Sequence, residues 1–148
     1  MALGGRVLVL DSPANADSTA NSLLYPFEMA VDRSRTLSGH IRVDGDHPAV
    51  SVGSAHPVTG GQPQILLDGS PVASTLSHGS GTVTVVGFGS LFSDAAMGVT
   101  GDVVPDERLR AVFELQFDLL RQIVAGPESL PEEGPARYTA GEGKASSY

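Results

Sequence analysis

The chain contains no cysteine, which removes disulfides, thiolate zinc sites and every cysteine nucleophile from the chemistry open to it and leaves its redox compartment undetermined. Basic residues are few. Nine Lys and Arg face seventeen Asp and Glu, and the resulting net charge of −8 repels phosphate backbones and anionic membrane surfaces. No local basic patch offsets that balance, so a nucleic-acid partner is not expected. Long apolar runs are absent too. Val7 to Leu10, behind a single arginine, is too short for the core of a signal peptide, and no window approaches the roughly 20 apolar residues of a membrane span. The expectation is a cytoplasmic chain without membrane insertion.

Glycine and proline are plentiful, at 18 and 10 residues, which predicts short elements separated by many turns. A length of 148 residues suits one domain able to bury a core. Gly4-Gly-Arg followed by Val7 to Leu10 has the pattern of a buried strand, apolar on both faces, of the kind found in parallel sheets; it stops at Asp11-Ser-Pro13. Thr19 to Leu24 suits a short helix capped by Asp17 or Ser18, with Leu23 and Leu24 inward and Pro26 interrupting it. His40 to Val43 alternates like a strand, and Asp44-Gly-Asp46 is turn chemistry. Gln64 to Leu67, Asp68-Gly69, Val72 to Leu76, Ser77 to Gly81 and Thr82 to Val86 describe strands joined by tight turns, the last two strands forming an antiparallel hairpin.

A longer helix begins near Pro105, with Asp106 and Glu107 in its first turn. Leu109, Val112, Phe113, Gln116, Phe117, Leu120, Ile123 and Val124 recur at helical spacing up to Gly126-Pro127. Its apolar side should cover the sheet, so an exposed stripe there would indicate a missing partner. Glu107, Arg108, Arg110, Glu114, Asp118 and Arg121 form its solvated side. Residues 127–148 are rich in Glu, Gly, Pro and Ser and are expected to be a disordered tail beyond a domain of residues 1–126.

Gly81 to Asp94 carries the strongest functional signal, a β-branched run entering the glycine-rich loop Gly87-Phe-Gly-Ser-Leu-Phe-Ser-Asp94. In open α/β sheets, sites gather at such strand ends. Ordered along the chain, Gly4 to Asp11, Ser18 to Phe27 and Gly81 to Asp94 resemble the class I glutamine-amidotransferase-like domains of the intraflagellar-transport and gliding-motility-transporter type. Asn21, Leu23, Leu24 and Phe27 match that family's Asn-x-Leu-Leu-x-x-Phe helix. Gly87, Phe92, Ser93 and Asp94 match its strand-end loop, and His56 to Thr59 its His-Pro turn. The resemblance spans roughly residues 4 to 125. It implies an open, mostly parallel sheet with a central hairpin and flanking helices, layered as in flavodoxin. Complete domains of this type begin with about two further strand-helix units, so the resemblance covers only their carboxyl-terminal part. Their glutaminase activity needs a cysteine, which implies a non-catalytic module binding a protein, a second copy or a small ligand within a larger assembly, with no cofactor.

Asn21, Gly87, Gly89, Ser90, Ser93 and Asp94 are therefore the candidate ligand-binding residues, and the loop amides could hold an anion. The rival reading is a hydrolase built on Ser90 with His56 or His78, although Gly87 to Leu91 lacks the Gly-x-Ser-x-Gly order of a nucleophile elbow. A third is a truncated gene product prone to aggregate through the Val7 to Leu10 strand. Asp44-Gly-Asp-His47 invites a metal reading, but its spacing fits no calcium loop, Ala55 standing where the twelfth-position glutamate belongs, and no metal is expected.

Overall fold

The computed structural model describes residues 4–42, 49–97, 104–125 and 139–140. Strand β1 (Arg6–Leu10) leads to helix α1 (Ala20–Leu24), which continues as a 3-10 turn over Tyr25–Phe27. Then come β2 (Ala30–Val31), β3 (Leu37–Arg42), β4 (Val50–Ala55), β5 (Val58–Thr59) and β6 (Gln62–Leu67). They are followed by β7 (Ser70–His78), β8 (Gly81–Val86), a 3-10 turn at Gly89–Phe92 and α2 (Asp94–Met97). The last elements are α3 (Glu107–Ala125) and β9 (Thr139–Ala140).

The main sheet has the order β1-β8-β7-β6, and small antiparallel sheets β2-β5 and β4-β3-β9 pack around it. The protein is thus mixed α/β. Among the described residues only β1 and β8 pair in parallel, Arg6 opposite Thr82 through Leu10 opposite Val86, while every other pairing is antiparallel. This corrects the expectation of a mostly parallel sheet, and the reason lies in the turns. Asp68 and Gly69 both take positive φ, 52° and 76°, as a two-residue type I′ turn requires, and they fold β6 directly back on β7. Gly79, at φ 60°, helps fold β7 back on β8, so the expected hairpin forms with Ala73 opposite Val86 and Ser77 opposite Thr82.

Strand β8 is buried along its whole length. Val83 and Val85 face a core with Leu24, Met29, Val31 and Val58, whereas Val86 joins the larger core with Phe88, Ile41, Val52, Ile65, Leu67, Ala111, Leu115 and Leu119. Strand β1 shares both cores through Leu8 and Val9. It is nevertheless an edge strand rather than an interior one, with Val7 and Leu10 exposed. In α1, Leu24 is buried but Leu23, about 100° away around the helix, faces solvent. Within the segment read as a tail, Thr139–Ala140 pairs with Ile41 and Arg42. The Asp44-Gly-Asp-His47 turn, Gly126-Pro127 and the remainder of the tail lie outside the described residues.

At the exit of β8, Gly87 lies so close to the backbone of His56 that a Cβ there would stand 1.9 Å from the His56 carbonyl oxygen. Gly87→Ala should therefore cost on the order of 3 kcal/mol in chemical denaturation of the whole chain. Gly53→Ala, in open space on β4, should change stability by less than about 1 kcal/mol. Equal stability of the two variants would contradict the packing described.

Candidate functional site

The carboxyl ends of β1 and β8 lie side by side, and the chain leaving them is stitched by backbone hydrogen bonds. Asp11 N–H donates to Val86 O at 2.9 Å, Gly87 N–H to Val72 O at 2.8 Å, His56 N–H to Gly87 O at 2.9 Å and Gly89 N–H to Asp11 O at 2.8 Å. Phe88 is fully buried, and Gln116 of α3 donates its side-chain amide to Leu91 O at 2.8 Å. Gly87 and Gly89 are thus small because backbone passes against them. Ser93 donates its hydroxyl to Ser90 O at 2.6 Å and accepts Ala96 N–H at 3.4 Å, which makes it the cap between the 3-10 turn and α2. Asp94 is exposed in the first turn of α2. Asn21 is elsewhere: its carboxamide accepts Val31 N–H at 2.7 Å and donates to Val31 O at 3.0 Å, clamping β2 against α1. Of the six candidate residues, five share the loop and Asn21 does not join them.

Two polar features of this rim were not legible in the sequence. Asp11 is buried with its Oδ2 2.8 Å from Arg33 Nη1, while its Oδ1 accepts Ser12 N–H at 2.9 Å; Arg33 also donates to Asn15 O. The partners are 22 residues apart, so no spacing pattern announces them. His56 is buried with Nδ1 2.7 Å from Arg35 O, a geometry that places the proton on Nδ1. Nearby, Asp32 accepts the Ser34 hydroxyl at 2.5 Å and the Ser34 N–H at 3.1 Å. The hydroxyl bond, then the amide bond, hold the Asp32 carboxyl below its ordinary value; burial opposes them less strongly, and the charges of Arg35 and His56 add still smaller lowering effects.

Neither histidine is hydrogen-bonded to Ser90 among the described residues. The His56 ring is directed at Arg35, and His78 stacks edge-on against Phe27 at the opposite end of β8. Among the described residues no group of three or more His, Asp or Glu gathers as metal ligands. No described helix is long and apolar enough to cross a membrane.

Between the sheet and α3, Gln64, Thr75, Thr82, Thr84 and Gln122 surround a cavity of about 10 Å³, room for one water. Thr75 and Thr84 share a hydrogen bond at 2.9 Å across the hairpin, while Gln64 Oε1 and Gln122 Nε2 have no protein partner. A wider hollow of about 230 Å³ opens beside the rim, lined by Val50, Leu91, Ala95, Ala96, Asp106 and Arg108 among others. Asp106 is committed there to capping α3 through Leu109 N–H at 2.8 Å.

Helix α3 leaves apolar side chains open to solvent. Ala111, Leu115, Gln116 and Leu119 are buried against the core, yet Phe117 is 58%, Leu120 43% and Val124 72% exposed. At about 100° per residue the apolar arc from Ala111 round to Phe117 spans roughly 240°, more than twice what one covering face needs. The sheet covers one side of that arc, and Phe113, Phe117, Leu120 and Val124 form a stripe along the other.

Neither a family model nor a curated protein sequence matches this chain.

Arg33→Ala leaves the Asp11 carboxylate buried without its cation and should cost on the order of 3 kcal/mol; Asp11→Ala in the same chain should recover part of that loss, and strict additivity in denaturation would contradict the pairing. A depressed folded-state pKa means that Asp32 adds stability above the ordinary carboxylate pKa and that this is lost as pH falls through the lower folded value. Ser34→Ala should move the Asp32 midpoint up towards the ordinary value in an NMR titration. An unmoved midpoint would show that the hydroxyl is not its main cause.

Proposed function

We propose that this chain is a non-catalytic, amidotransferase-like interaction module that docks a protein partner on the exposed side of α3 within a larger assembly. The observation that carries this reading is the stripe of Phe117, Leu120 and Val124, open to solvent on a helix whose opposite side is core. Apolar surface of that length, bordered by charged residues, is costly to leave in water and marks a docking face. The unpaired outer edge of β1 in the described sheet, with Val7 and Leu10 exposed, supports the same view, since an edge strand invites a further element. A non-catalytic role is supported by the absence of cysteine and by the use of Ser93, Asn21 and Asp11 in bonds that hold the fold.

Binding of a small ligand at the rim is a narrower form of the same reading. It rests on the 230 Å³ hollow, where Arg108 would attract an anionic group.

A photoreactive phenylalanine analogue at position 120 tests the docking face directly in cells that express the chain natively. Irradiation should give discrete protein adducts from position 120 and none from position 68, an exposed turn at the end of β6. Loss of adducts at position 120, or equal adducts at both, would remove the basis for the proposal.

A further inference from the structure

We infer that the partner seated on α3 is a second copy of this chain, packed antiparallel across a two-fold axis; the inference rests on α3 being an interaction face. Phe113, Phe117, Leu120 and Val124 follow one another at intervals of four, three and four, the spacing of a coiled-coil seam. A closed two-fold contact must be self-complementary. Run antiparallel against itself, this seam sets Phe113 opposite Val124 of the second copy and Phe117 opposite Leu120, so each layer pairs an aromatic ring with an aliphatic side chain.

Charge gives the orientation. Glu114 and Arg121 flank the seam on one side, following Phe113 and Leu120 by one residue each. The antiparallel arrangement brings Glu114 alongside Arg121 of the second copy and Arg121 alongside its Glu114, two opposite-charge pairs from one symmetry operation. A parallel arrangement sets each charge at the height of its own counterpart instead. Arg121 is 64% exposed and uses one nitrogen on Asp118 at 3.1 Å, which leaves the rest of its guanidinium fork facing outward. Four side chains per copy bury less than the roughly 800 Å² per partner of a standard interface, and a charge of −8 on each chain adds repulsion. The dimer is accordingly weak and reversible, with a Kd in about the micromolar to millimolar range.

Analytical ultracentrifugation of the full chain at about 0.15 M salt, from roughly 10 μM to 1 mM, reads this equilibrium. The mass should rise from 15.2 kDa towards twice that value with concentration. Glu114→Arg should weaken association by about tenfold, since both pairs become repulsive, and adding Arg121→Glu should restore it. Circular dichroism identifies any variant that fails to fold; Arg121→Glu alone, at the more exposed position, then repeats the reversal from the other side. A chain that stays at 15.2 kDa throughout, or a reversal that the swap does not repair, overturns the second-copy assignment. If such a monomer still gives adducts to a different protein from position 120, the docking face stands and only its occupant changes. If it gives no adducts, both fall.

Discussion

Everything in this fold is referred to the exit of β8, where Gly87 lies against the backbone of His56 with no room for a side chain. At that point the ends of β1, β7 and β4 are drawn together by four backbone hydrogen bonds of 2.8 to 2.9 Å. The order of the main sheet follows from this junction. Strand β8 is buried on both faces and central, β7 returns beside it through a tight turn, and β1 takes the remaining parallel position, at the edge. The strand-end loop is consequently anchored at its start, with Phe88 sunk in the core and Leu91 tied to Gln116. Asp11 and Ser93 spend side-chain hydrogen bonds on this junction, Asp11 on Arg33 and Ser12, Ser93 on Ser90 and Ala96.

Burial is divided unevenly as a result. A sheet of four short strands offers α3 a surface wide enough for Ala111, Leu115 and Leu119 but not for the whole apolar arc of the helix. The side left over is neither polar nor small, and Phe117 and Val124 are among the most exposed large apolar residues described. Leaving such residues in water forgoes roughly 25 cal/mol for each Å² that a partner would cover. That gain is modest for four side chains, which suits reversible assembly rather than an obligate complex.

Much of this architecture was legible in the residues. The glycines of Ser77 to Gly81 announced the β7–β8 hairpin, Asp68-Gly69 was legible as a tight turn, and the recurrence from Leu109 to Val124 announced α3. What periodicity could not supply was which part of that arc the sheet reaches, since this depends on the width of a surface assembled from distant strands. The same limit explains β1: four apolar residues in a row fit a strand covered on both faces, and only the pairing of β8 with β7 shows that β1 ends at the edge. Of the candidate site, the loop was found from its glycines and its place after a strand. The roles of its residues were not, because Ser93 as cap, Asn21 as clamp and Asp11 as partner of Arg33 are set by contacts that no local pattern encodes.

The most direct measurement is a concentration series of amide chemical shifts on the full isotope-labelled chain, from about 10 μM to about 1 mM. Shifts that move together at Phe113, Glu114, Phe117, Leu120, Arg121 and Val124, with Gly87 to Asp94 and the β6–β7 hairpin unchanged, are the expected result. Movement centred on the Gly87 to Asp94 loop, or none anywhere on α3, would contradict the view that the exposed side of this helix is where the protein assembles.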